Sequence, residues 1–181
     1  MKLMGLLGYF FSMRPQETFG IRRGDFISKP EKVGVLDCVK YMTKAGLFNK
    51  FAVFIDRQRA ASGKLVDPKS GSRGHVACFN DQAAKLVVEL IREFEKDESI
   101  FKNANRHLYD IWESAGLGLT LKDLRRSSLR YLGLDTRLGE TPLHLKEHAR
   151  HSDFNTTLLY LRAPKKELDE SSFDDLDISN W

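Results

Sequence analysis

Leu3, Leu6, Leu7, Phe10 and Phe11 recur at helical spacing at the head of the chain, which predicts a first helix ending near Met13. Arg14-Pro15 follows. A proline disfavours α geometry in the residue before it and suits the first position of a helix. The pattern therefore predicts Arg14 at a bend and a second helix from Pro15 to about Ile21. Residues 35–44 fit a helix with Leu36, Val39 and Tyr41 turned partly inward and Gly46 as its stop. Residues 51–55 read as a strand. The polar, glycine- and serine-bearing stretch 60–74 then leads into a second strand over 75–79, so the order strand, loop, strand predicts a hairpin with Lys69 in its connection.

Helical periodicity dominates the rest. Asn80 or Asp81 can cap an amphipathic helix whose apolar positions are Ala84, Leu86, Val87, Leu90, Ile91 and Phe94. A helix over 101–116 would carry Leu108, Ile111 and Trp112. Thr120 is expected to cap a helix over 121–132 that Gly133 terminates. Thr141-Pro142 would open another through about Ala149, and Asp153 would cap a last one with Tyr160 late in it. The fold class is mainly α, in the α+β sense: helices with a small antiparallel sheet or hairpin.

Composition adds bounds. The chain has 181 residues, 41% hydrophobic and 30% charged, long enough for one domain with a real core. Residues 165–181 hold two lysines and six acids, a net of −4, which leaves 27 basic against 19 acidic residues, a net of +8, on the rest. The expected organisation is a basic body over 1–164 and an acidic tail over 165–181, disordered or docking on a second protomer. Cys38 and Cys78 lack metal-ligand spacing, and no cofactor is expected. A chain this large and lysine-rich points to a reducing compartment. The apolar N-terminal run has no small-residue cleavage site and is too short to span a bilayer, so a soluble protein with no membrane partner is expected.

The candidate chemistry is concentrated in three places. Arg150-His151-Ser152, Thr156-Thr157 and Tyr160 lie together near the end; Arg14 to Glu17 and Lys122 to Arg125 lie upstream. Tyrosine, histidine, lysine and two arginines form a set that can cut and rejoin a phosphodiester without metal. Arginine forks match the non-bridging oxygens of a pentavalent phosphorus, where charge develops. A tyrosine hydroxyl, with an ordinary pKa near ~10, needs such cations to lose its proton as it attacks. A histidine, ordinarily near ~6.5, can bond a phosphate oxygen or assist proton transfer. A lysine can protonate the departing oxygen.

Order and spacing of these motifs resemble the catalytic domain of the tyrosine recombinases, the family of phage integrases and chromosome-dimer resolving recombinases, over about residues 3–162. The first box reads Arg14, Glu17, Ile21 and Asp25. The hairpin lysine is Lys69, with Lys64 as its competitor. A second box runs from Lys122 to Arg125, and the last is His151, Thr157 and Tyr160. The chain departs from the family pattern with Lys122 in place of histidine and Arg150 in place of glycine. The resemblance implies an integrase of a mobile element: a site-specific recombinase that works through a 3′-phosphotyrosyl intermediate. Tyr160 would be the nucleophile, Arg14 and Arg125 the phosphate clamp. His151, Lys122 and Lys69 would assist, with Glu17 in support. Arg22, Arg73 and Arg126, among other basic residues, would contact DNA phosphates. Expected partners are double-stranded DNA and further copies of the chain, as a tetramer on paired sites, in the cytoplasm or nucleoid of the host. The family's N-terminal clamping domain has no counterpart here, as in a fragment, a reduced protein or one half of a clamp. Two other readings use the same residues: a decayed DNA-binding protein, with Lys122 and Arg150 as marks of decay, and a type IB topoisomerase-like nicking-closing enzyme.

Overall fold

The computed structural model describes residues 1–26, 38–43, 46–69, 73–103, 105–134 and 142–161, with the backbone alone at 38–43 and 46–50. The acidic tail lies outside the described residues.

Helix α1 (Lys2–Phe10) forms where its apolar spacing predicts, and Leu6, Leu7, Phe10 and Phe11 are wholly buried. A fully buried phenylalanine or leucine is worth about 1.5–3 kcal/mol relative to an exposed one. A helix buried this completely therefore anchors the core rather than covering it. Arg14 has φ −70° and ψ 144°, the extended geometry that a following proline enforces, and α2 (Pro15–Gly20) starts at that proline. A short 3-10 turn, Arg23–Phe26, then brings Phe26 onto Phe11 and Phe51, ring centroids 6.3 and 5.9 Å away.

The sheet is antiparallel. β2 (Gly46–Ile55) lies between β1 (Cys38–Thr43) and β5 (Gly74–Ala77), with Cys38 opposite Phe51 and Ala52 opposite Ala77. Two-residue strands β3 (Gln58–Arg59) and β4 (Leu65–Val66) pair within the β2–β5 connection, so the predicted hairpin exists with a smaller ladder inside it. The helix expected over 35–44 is corrected: residues 38–43 are strand β1. Valine, tyrosine and threonine at 39, 41 and 43 suit a pleated strand, and pairing with β2 overrides the weaker helical spacing.

Asn80 caps α3 (Asp81–Ile91), its Oδ1 accepting from the Ala83 amide at 2.8 Å. Helix α4 (Asn105–Ser114) begins later than expected, because the backbone at 101 and 103 is used otherwise. Buried Arg59 donates to the carbonyls of Phe101 and of Asn103, and to Ser99 Oγ at 3.0 Å. Helix α5 (Leu121–Leu134) opens on a reciprocal cap. Thr120 Oγ1 accepts from the Asp123 amide at 3.1 Å and the Asp123 carboxylate accepts from the Thr120 amide at 3.0 Å. Gly133 does not terminate it. A Cβ there would lie 2.5 Å from Leu161 Cδ2 and 2.9 Å from Leu145 Cδ2, so the glycine lets α6 (Pro142–Ala149) and α7 (Phe154–Leu161) close onto α5. The architecture is α+β: helices around a buried α1, with a small antiparallel sheet at one side. Among the described residues no helix is long and apolar enough to cross a membrane.

Candidate active site

The α1–α2 bend, the β4–β5 connection, the start of α5, the α6–α7 junction and α7 converge on one cleft of about 820 Å³. The α1–α2 bend contributes Arg14, the N-terminal half of α5 contributes Lys122, Arg125 and Arg126, and the α6–α7 junction contributes His151, with Tyr160 late in α7. Lys69 reaches it from the β4–β5 connection, exposed but following the buried Pro68. The cleft thus gathers Arg14, Lys69, Lys122, Arg125, His151 and Tyr160 from five separate segments. Lys64 does not line it.

Arg125 is buried. It donates to the carbonyls of Ser12 and, at 2.6 Å, of Ala149, and its Nη2 lies 3.5 Å from His151 Nε2. Ser12 presents its carbonyl from a left-handed backbone (φ 53°), and its hydroxyl bonds that of Ser128. Burial first, then the repulsion of Arg14 and Arg150, pushes the Arg125 pKa down to about 9, still protonated at neutral pH. An arginine can only donate, so His151 Nε2 is the accepting nitrogen. The proton then sits on Nδ1 and bonds Thr157 Oγ1, 3.0 Å away. The ring stacks on Tyr160 with centroids 5.6 Å apart and planes 18° from parallel. Burial, then Arg125, Arg14 and Arg150, lowers its pKa to about 4. The expectation of a histidine near its ordinary pKa is thereby corrected: burial and the guanidiniums around it favour the neutral imidazole.

Glu17 has no solvent exposure. Its Oε2 accepts from the Arg14 amide at 2.8 Å and from Arg150 Nη2, while Oε1 accepts from Arg14 Nη1 at 2.8 Å. Burial alone would raise its pKa; Arg150 first, then Arg14 and Arg125, outweigh that and hold it below the ordinary carboxylate range. Arg14 Nη2 in turn donates to the Arg150 carbonyl at 3.0 Å. Arg150 is buried and sits at φ 52°, a region that costs a non-glycine residue roughly 1–2 kcal/mol. Its guanidinium pairs with Glu17, and removing one partner of a buried ion pair costs about 3–5 kcal/mol because the other charge is left uncompensated. The position is thus a left-handed turn that glycine would adopt without strain, here occupied by an arginine bonded to Glu17.

Three guanidiniums, those of Arg14, Arg125 and Arg150, surround one carboxylate among the described residues. The excess positive charge suits an oxyanion carrying about two negative charges. Tyr109 and Thr120 also line the cleft and do not stand among the candidate site residues, while Arg150, noted in the sequence only as a departure from the family pattern, lies buried on Glu17. Tyr109 lines the cleft with its ring edge on Phe19 at 5.2 Å, and burial raises its hydroxyl pKa. Of the DNA-contact candidates, Arg126 lines the cleft. Exposed Arg73 pairs with Asp67 at 2.8 Å outside it, and Arg22, half-buried, gives its amide to Asp25 at 2.7 Å. Arg59 is absorbed in the fold, and Arg57 pairs with Asp25 and Asp56.

A scan against protein-family models gives no match, and neither curated proteins nor solved structures give a significant one.

Proposed function

We propose that the protein is a site-specific DNA recombinase of the integrase type, which cleaves and rejoins DNA through a 3′-phosphotyrosyl intermediate. The observation that carries this reading is the convergence, from five segments, of two arginines, two lysines, a histidine and a tyrosine on one cleft with an excess of buried positive charge. Arg14 and Arg125 would hold the non-bridging oxygens of the scissile phosphate. His151, accepting from Arg125, helps to hold that guanidinium. Tyr160 Oη attacks phosphorus, its proton is released to water, and the bond from phosphorus to the 5′-oxygen breaks. Lys69 protonates that oxygen, leaving a 5′-hydroxyl and a 3′-phosphotyrosyl ester. Religation runs the same transfers backwards and needs no ATP. A phosphodiester adds negative charge beside His151 and so opposes the guanidinium field that depresses its pKa.

Lys122, exposed one turn before Arg125 on α5, supplies a further cation to the phosphate. Double-stranded DNA is the partner, with copies of the chain assembling on paired sites.

Covalent capture tests the reading. Nicked or phosphorothiolate suicide duplexes carrying a candidate site are incubated with the protein and resolved in SDS. The expected result is a shifted protein–DNA band that EDTA leaves intact and Tyr160→Phe abolishes. A band that survives Tyr160→Phe, or none from a folded, DNA-bound native chain, would overturn it. Strong relaxation of supercoiled DNA by a monomer would instead select the topoisomerase-like reading.

A further inference from the structure

We infer that Arg150 is a positioning residue, which splits the Glu17 carboxylate so that Arg14 is aimed into the cleft. This rests on the phosphate-binding reading of the same site.

The geometry is specific. Glu17 offers two oxygens to two guanidiniums: Arg150 Nη2 takes Oε2 and Arg14 Nη1 takes Oε1. Arg14 Nη2, barred from a second carboxylate oxygen, donates to the Arg150 carbonyl instead. Arg150 therefore holds Arg14 twice, by its side chain through Glu17 and by its backbone directly. Arg150 is buried and does not line the cleft, whereas Arg14 does. If the Arg150 side chain is removed, the freed oxygen invites Arg14 into a parallel, two-pronged ion pair with Glu17, the geometry that arginine and carboxylate prefer. That pairing draws the fork away from any ligand. The turn at Arg150 has φ 52°, a conformation glycine adopts without strain, so the presence of arginine there is not explained by the backbone.

Charge alone is the competing account, since Arg150 adds a cation near the site. The two separate in a double-substitution cycle. A field acts whether or not Glu17 is charged, whereas a splitting role vanishes once Glu17 no longer attracts Arg14 as a carboxylate.

The experiment uses the full chain with Arg150→Met, Glu17→Gln and both together, each confirmed folded by its thermal transition. Arg150→Gly, which relieves the left-handed turn, replaces Arg150→Met should that variant not fold. Two readouts are taken: the dissociation constant for inorganic phosphate, from its effect on Tm at fixed ionic strength, and the single-turnover rate of covalent capture. Arg150→Met is expected to weaken phosphate binding and slow capture about tenfold in the native background, and to cause no further loss in the Glu17→Gln background. The same fold-loss in both backgrounds, or none in the native one, would overturn the inference, as would failure of the native chain to bind phosphate. Phosphate binding needs no turnover. A native chain that binds phosphate but forms no covalent band defeats the recombinase reading while the cycle still decides the role of Arg150.

Discussion

The histidine that stacks on Tyr160 is held by two contacts of opposite kind, a donation to Thr157 and an acceptance from Arg125. Thr157→Val keeps the shape and removes the acceptor, leaving the Nδ1 proton buried and unpartnered. Capture is expected to slow roughly three- to tenfold, with little change in DNA affinity. Arg125→Lys keeps a cation but loses the fork that bonds the Ser12 and Ala149 carbonyls and that, on the proposed function, would also meet the phosphate. A fall of about 10²–10³-fold in capture rate is expected, the scale seen when one donor to a developing oxyanion is removed. Equal rates for native and Arg125→Lys protein would show that the guanidinium is not aimed at reacting oxygens. Arg14 was legible in the sequence because Pro15 fixes its backbone, and His151, Thr157 and Tyr160 because one short stretch carries them. Arg150 was not: its partner Glu17 lies 133 positions away, and a contact at that distance leaves no local periodicity.

At the level of elements, the helices that read clearly in the sequence are those whose ends carry their own chemistry. Asn80 on α3, the Thr120–Asp123 box on α5 and Pro15 on α2 mark starts within a residue. Segments governed by partners elsewhere read poorly. Strand β1 depends on β2, and the late start of α4 depends on Arg59, whose three acceptors lie 40–44 positions downstream. Gly133 belongs to the same class: it looks like a helix stop and is a contact point where α5, α6 and α7 meet. Gly133→Val would gain a few tenths of a kcal/mol in helix propensity and lose about 1–3 kcal/mol by forcing Leu161 and Leu145 aside. Packing wins. The expected outcome is a lower Tm together with faster hydrogen exchange in α7 and slower capture, because Tyr160 rides on that helix. Exchange confined to α5 would contradict this coupling.

Across the whole molecule, the positive charge gathered at the cleft also sets how the fold responds to acid. His148 is buried against Phe79, 5.6 Å between ring centroids, and neither ring nitrogen has a hydrogen-bond partner among the described residues. Burial first, then Arg150 and Arg125, lowers its pKa from 6.5 to about 3. His151 is lowered from 6.5 to about 4 by the same kinds of cause. Between these values the unfolded chain binds protons that the folded chain refuses, so stability falls as pH drops below 6.5. The loss continues to about pH 4 for His151 and to about pH 3 for His148. Glu17 acts in the same direction, because its depressed pKa gives stability above the ordinary 4.5 that is lost as pH falls through its folded value. Thermal unfolding should therefore show a Tm that is level near pH 7.5 and declines steadily from pH 6.5 to 4. His148→Leu removes one of the two histidine contributions and an unpaired polar ring at similar volume. Its Tm near neutrality is expected to match or exceed that of the native chain, and its decline on acidification should be shallower. An unchanged acid slope in His148→Leu would mean that the ring is protonated without cost. The field of Arg125 and Arg150 would then be weaker in the interior than a single buried carboxylate among three guanidiniums implies.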